Sequence, residues 1–119
     1  MTDKVIIYHN PLCSKSRACL DLITSMGAVP EVKLYLDEEV TNNELNSIVH
    51  MLGIKPRELL RKSEEEYETY NLNDNKLGDE EIIKIMIENP ILIQRPIVLT
   101  NKSATIGRPP ENILKILNK

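Results

Sequence analysis

The sequence predicts an α/β fold in the order strand–helix–strand, a helical insertion, then strand–strand–helix, around a mixed sheet. Three observations carry that reading. Two short apolar runs, Val5-Ile6-Ile7-Tyr8 and Ile97-Val98-Leu99-Thr100, read as strands, the first with the pattern of a strand covered on both faces. Between about residues 41 and 89, apolar residues recur at helical spacing with no strand-like run among them. A short polar loop, His9-Asn10-Pro11-Leu12-Cys13, joins the first strand to a helix and places one cysteine where that helix begins.

The first helix is expected from Ser14 to Met26, with Cys19, Leu22, Ile23 and Met26 on its apolar stripe and Gly27 as its stop. Glu31 to Leu36 alternates, with Val32, Leu34 and Leu36 on one face, and reads as a second strand. That completes a parallel strand–helix–strand unit. The insertion opens with the capping box Thr41-x-x-Glu44, followed by Leu45, Ile48, Val49 and Leu52 up to Gly53. Pro56 suits a first helical position and starts a short turn through Arg57, Leu59 and Leu60 to Arg61. Ser63-x-x-Glu66 repeats the capping pattern, and Glu64-Glu65-Glu66 reads as a solvated helix start. Asp79 begins a further helix bearing Ile82, Ile83, Met86 and Ile87, closed by Asn89-Pro90. After the second apolar run, Asn101-Lys102-Ser103 turns the chain into Ala104–Gly107 as an antiparallel hairpin. Arg108-Pro109-Pro110-Glu111 leads into a last helix with Ile113, Leu114 and Leu117. This is the order of thioredoxin and glutaredoxin folds, with extra helices between the two halves, in a single domain of 119 residues.

Composition narrows the function. The chain is 41% hydrophobic and 28% charged but has no Phe and no Trp, so its core is aliphatic. A net charge of −3 argues against a nucleic-acid binder. No apolar run approaches the roughly 18 residues that span a bilayer, so no membrane partner is expected. Two cysteines behind an N-terminus with no apolar leader point to a reducing, cytoplasmic setting rather than a disulfide framework. Neither a metal nor a bound cofactor is expected, and the chain is read as a monomer.

Cys13 is the focus of the chemistry. The unpaired N–H groups and positive end of a helix stabilise a thiolate over a thiol, and Lys15 and Arg17 add charge nearby. The alternative, a buried structural cysteine, suits the polar flanks less well. Cys19 lies on the apolar stripe and reads as a packed small hydrophobe. It cannot resolve Cys13: six helical residues rise about 9 Å, whereas disulfide-bonded Cα atoms lie within roughly 7 Å. The residue three after Cys13 is Ser16, so no Cys-x-x-Cys dithiol exists, and a thiol acting here must be regenerated from outside. Cys19 also stands where a Cys-x5-Arg anion loop would need arginine. Any oxyanion site must therefore come from arginines elsewhere, of which the chain has five, through forked hydrogen bonds that lysine cannot imitate. Arg61, Arg95 and Arg108 sit at element ends, either as such ligands or as solvated charges. His9 either favours the ionised thiol or fills the loop, and Pro96 is either a cis proline or an ordinary strand-entry proline. His50 falls on the polar flank of its helix.

Tyr8-His9-Asn10-Pro11-x-Cys13, Leu59-Leu60-Arg61-Lys62, Asn89-Pro90-Ile91-Leu92-Ile93-x-Arg95-Pro96-Ile97-Val98 and Gly107-Arg108-Pro109 resemble the ArsC family, the glutaredoxin-linked arsenate reductases. The likeness covers nearly the whole chain. At Ile106-Gly107-Arg108-Pro109-Pro110-Glu111 it is nearest the short, YfgD-like branch. The resemblance implies a thioredoxin-like fold with a helical insertion. It also implies Cys13 as nucleophile, His9 as the histidine aiding the thiolate, and Arg61, Arg95 and Arg108 as arsenate ligands, with Pro96 as the cis proline. The implied reaction uses three thiols: Cys13 attacks arsenate, glutathione adds to the arsenic, and glutaredoxin reduces the adduct to release arsenite.

Two other readings share the fold. Spx-type regulators bind RNA polymerase rather than an oxyanion. They usually carry Cys-x-x-Cys where this chain has Cys13-Ser14-Lys15-Ser16, and lack the Arg-Pro after the hairpin glycine. A protein that forms mixed disulfides with glutathione without touching arsenic needs no set of arginines.

Overall fold

The computed structural model describes residues 4–101 and 103–117, with the side chain of Leu117 excepted. The predicted places of Lys102 in the hairpin turn and of the Leu117 side chain on the last helix lie outside the described residues. The chain divides into two compact units, residues 1–38 with 95–119, and residues 39–94.

The first unit is built on a four-stranded sheet of order β2-β1-β3-β4. β1 (Ile6–Tyr8) pairs parallel with β2 (Glu31–Lys33) and antiparallel with β3 (Ile97–Leu99). β3 in turn pairs antiparallel with β4 (Ala104–Ile106). This is the mixed sheet of a thioredoxin-like fold. α1 (Ser14–Ser25) connects β1 to β2 and ends at Gly27, whose φ of 84° is the left-handed conformation that glycine adopts without a Cβ clash. Val5, Ile7, Cys19, Ile23, Val98 and Ile113 form one buried cluster. Strand and helix periodicities thus converge: alternate residues of β1 and one stripe of α1 face the same core.

Two sequence expectations for this unit change. The second strand stops at Lys33 because the chain turns at Leu34. The Leu34 carbonyl accepts the N–H groups of Asp37 and Glu38, and its own N–H goes to the Glu38 carboxylate. Val32 and Leu36 are consequently exposed, and Tyr35 is the residue buried there. The apolar stripe of α1 also ends one rung early. Met26 occupies the C-cap and is exposed, as is Leu114 on the short last helix, α5 (Leu114–Leu117), which follows a 3-10 turn over Pro110–Ile113.

The second unit contains α2 (Asn42–Leu52), α3 (Glu65–Thr69) and α4 (Asp79–Glu88), with 3-10 turns at Pro56–Leu59 and Pro90–Leu92. Thr41 and Glu44 form the predicted reciprocal capping box at 3.1 Å each way, a feature worth about 1 kcal/mol to a helix start. Gly53 closes α2 in the left-handed conformation. Leu45, Ile48, Ile82, Ile83, Met86 and Leu92 are fully buried and supply the apolar interior of this unit. A single antiparallel bridge joins Leu60 to Ile93. The expected capping pattern at Ser63 shifts by one: Glu64 occupies the N-cap of α3. Its side chain is largely buried against Arg61 rather than solvated. Among the described residues, no helix is long and apolar enough to cross a membrane.

Gly107 is closely packed against Cys19 and Pro96. It is buried, its N–H donates to the Pro96 carbonyl at 2.8 Å, and a Cβ there would sit 2.7 Å from Cys19 Sγ and 3.0 Å from Pro96 Cγ. Gly107→Ala is expected to lower stability by about 1–3 kcal/mol through overpacking. Urea unfolding measures this; an unchanged midpoint would contradict the packing described.

Candidate functional site

β1 ends at Tyr8, and the five residues that follow build the site. The His9 N–H extends the ladder to the Lys33 carbonyl at 2.9 Å. Asn10 then folds the loop: its Oδ1 accepts the Leu12 N–H and its carbonyl accepts the Cys13 N–H, each at 3.0 Å. An asparagine suits this position because its side chain mimics a backbone turn. Cys13 is the N-cap of α1, in extended conformation, and its carbonyl accepts the first helical bond from the Arg17 N–H at 3.0 Å. Its side chain is half-buried.

The Cys13 pKa lies below the ordinary thiol value. Burial is the largest single influence and opposes ionisation. The Ser16 N–H, the Arg95 guanidinium and the Lys15 N–H, all hydrogen-bonded to the sulfur, together with the Arg95 charge, outweigh it. These groups are the free donors of a helix start plus one fixed cation, the environment that activates cysteine. Cys19 shows the opposite: burial without such partners pushes its thiol up to about 12, and it is a core residue.

His9 stands one residue removed from the sulfur. Its Nδ1 lies 2.6 Å from Ser16 Oγ, which also accepts the Asn10 N–H at 3.0 Å. Both His9 and Ser16 are buried. Burial, then the charge of Arg17, lowers the His9 pKa, so the imidazole is neutral near pH 7. A neutral ring accepting Ser16 Oγ–H at Nδ1 satisfies all three groups. His9 is thus hydrogen-bonded to Ser16, the residue whose N–H meets the Cys13 sulfur.

Arg95 is the arginine brought to Cys13, from the segment just before β3, where the Arg95–Pro96 peptide bond is cis. Its Nε and Nη1 are buried and have no hydrogen-bond partner. Buried polar groups in native proteins are nearly always paired, so these two donors mark a place for an acceptor. Arg108 is exposed and precedes a second cis bond, to Pro109; its carbonyl accepts from Asn112 Nδ2 at 3.2 Å. Arg17, read from sequence as charge near the thiol, donates from Nη1 to the Pro11 carbonyl at 2.9 Å. Arg61 belongs to the second unit. There its Nη1 lies 3.0 Å from Glu64 Oε2, but the N–H is not directed along that line and has no hydrogen-bond partner. His50 is exposed.

Sequence reasoning missed three features. Ser16 entered only as the residue that is not a second cysteine, although a buried serine three residues into a helix is itself a signal of a polar partner. The direct hydrogen bond from Arg95 to the thiol joins positions far apart in the chain and has no local signature. The pairing of Glu64 with Arg61 was hidden in an acidic run that looked solvated.

A family model described as the ArsC family matches residues 8–116. The uncharacterized protein YfgD of Escherichia coli K12 is 47% identical over 118 residues, covering 98% of this chain and 99% of that protein. An arsenate reductase of Haemophilus influenzae is 46% identical over 114 residues, covering 95% of this chain and 98% of its own length. A solved structure described as arsenate reductase from Vibrio cholerae superposes with a TM-score of 0.95 at 43% identity, covering 98% of this chain and all of that one.

Alkylation by iodoacetamide reads the thiolate directly. A thiol with a lowered pKa ionises at lower pH, so the Cys13 rate is expected to reach half its plateau below the pH of a free cysteine. Arg95→Gln is expected to move that midpoint up, because two of the influences favouring the anion come from Arg95. A wild-type midpoint at or above the free-thiol value would contradict the geometry.

Proposed function

The chain belongs to the ArsC family, and from that premise we propose that it reduces arsenate to arsenite with Cys13 as nucleophile. Glutathione and glutaredoxin supply the other two thiols. The observation that carries the proposal is a Cys13 thiol of lowered pKa hydrogen-bonded to Arg95, whose Nε and Nη1 donors are buried and unused. A thiolate beside unpaired guanidinium donors suits an electrophile that is itself an oxyanion.

In this reading the Cys13 thiolate attacks arsenic, an S–As bond forms, and one hydroxyl leaves with a proton as water. Glutathione displaces a second hydroxyl: its thiol proton leaves in water and its sulfur binds arsenic. A glutaredoxin thiolate then attacks the glutathione sulfur. The S–As bonding pair passes to arsenic, which goes from As(V) to As(III), while the two outside thiols become one mixed disulfide. Water releases arsenite and restores the Cys13 thiol. Electrons balance without a bound cofactor.

The protein's groups act by charge and placement. The α1 N–H donors keep the sulfur anionic, and Arg95 can hold arsenate oxygens with the donors it does not spend elsewhere. His9 keeps Ser16 in place through their hydrogen bond. On the resemblance, Arg61 and Arg108 are the remaining arsenate ligands. The lack of a cysteine three residues after Cys13 supports an external reductant, in a cytoplasmic setting that keeps thiols reduced.

The test is arsenate-dependent NADPH oxidation with glutathione, glutathione reductase and glutaredoxin. Wild type is expected to turn over, Cys13→Ser to lose turnover entirely, and Cys19→Ser to keep most of it. Turnover in Cys13→Ser, or its loss in a folded Cys19→Ser protein, would contradict these roles. A folded wild type with a reactive Cys13 but no arsenate-dependent turnover would overturn arsenate as substrate.

A further inference from the structure

Among the described residues, the buried side-chain nitrogens without a hydrogen-bond partner belong to two residues, Arg61 and Arg95. Arg57, in the same unit as Arg61, shows how an arginine is used when its role is structural: Nη1 donates to the Leu72 carbonyl at 2.5 Å and Nη2 to the Asp74 carbonyl at 2.8 Å. Arg61 lacks such a clasp. It faces the Glu64 carboxylate through one contact, Nη1 to Oε2 at 3.0 Å, with the two side chains only 14% and 22% exposed. The N–H does not point at the oxygen, so the forked geometry that makes arginine–carboxylate pairs strong is not formed.

Glu64 is also diverted from its local role. It is the N-cap of α3, yet its side chain makes no capping hydrogen bond. Its backbone stays tied to the Arg61 turn, through Glu64 N–H to the Arg61 carbonyl at 3.3 Å. A carboxylate that pairs with Arg61 by charge but neither caps its helix nor accepts the Nη1 N–H neutralises Arg61 without satisfying it.

We propose that Glu64 is a resident counter-ion that occupies the anion site of Arg61 and is displaced when a tetrahedral oxyanion binds there. The inference rests on Arg61 being an oxyanion ligand, as set out under the proposed function, and adds a residue that sets how tightly and how selectively that ligand binds. In the resting protein the carboxylate screens a largely buried guanidinium. An incoming oxyanion with several oxygens can accept the N–H that Glu64 leaves unpaired, and gains it only by displacing the carboxylate. Weakly charged or poorly matched anions gain too little to do so.

The sign of the effect is opposite to that of a supporting residue. Removing the Glu64 charge removes a competitor, so Glu64→Gln is expected to tighten anion binding about 5-fold, the scale of a partly exposed ion pair. If Glu64 instead held Arg61 in place for the anion, the same change would weaken binding.

The experiment is calorimetric titration of arsenate and of inorganic phosphate into Cys13→Ser protein, with and without Glu64→Gln, so that turnover is not required. The expected result is a tighter Kd for both anions in Glu64→Gln, a gain that disappears when Arg61→Met is added. Saturable binding that is unchanged or weaker in Glu64→Gln overturns the proposal while leaving the arsenate reading intact. The same tightening in the Arg61→Met background also overturns it. Absence of saturable binding to either protein overturns both together.

Discussion

The Cys13 sulfur is an acceptor for donors that exist only because α1 starts where it does. The Ser16 and Lys15 N–H groups are free because they lie in a first helical turn, and the helix begins there because Asn10 folds the loop beneath it. β1 fixes the loop's entry through its pairing with both β2 and β3. The same pairing with β3 fixes the segment that delivers Arg95. One sheet register thus places both the Cys13 thiol and the Arg95 cation beside it. Burial works against the thiolate, and only the sum of these donors reverses it. The arrangement is accordingly sensitive to small displacements of α1.

Core packing supports that register from behind. Cys19 is on the buried face of the helix that Cys13 caps, and Gly107 is pressed against its sulfur. The two cysteines therefore stand in opposite settings on one helix: the first is half-buried among donors at its N-terminal end, and the second fills volume where only a small side chain and a glycine fit. Their opposite pKa shifts follow from the same physics, with donors present in one case and absent in the other.

Much of this was legible in the sequence. The thiol loop, the helix stop at Gly27, the Thr41 box and the element order are local patterns, and local patterns persist in the fold. The losses have particular causes. Val32, Leu34 and Leu36 alternate like a strand, but a turn built on Leu34 and closed by the Glu38 side chain ends the ladder early. Ser63 matches a capping box, yet Glu64 takes the cap. Within the site, Cys13 was readable from its flanks, whereas the link from Arg95 to the sulfur spans most of the chain and is set by tertiary structure. Arginines at element ends were visible as candidates; which donors remain unpaired is a property of the packed structure alone.

The proposed reduction requires that Cys13 form a bond to arsenic rather than merely to another thiol. Intact-protein and peptide mass spectrometry after incubation with arsenate and glutathione, with glutaredoxin omitted, tests it most directly, because the reductive step is then withheld. An adduct on Cys13 containing arsenic and one glutathione is expected. A Cys13–glutathione disulfide without arsenic would contradict it and would make this a glutathione-linked thiol protein instead.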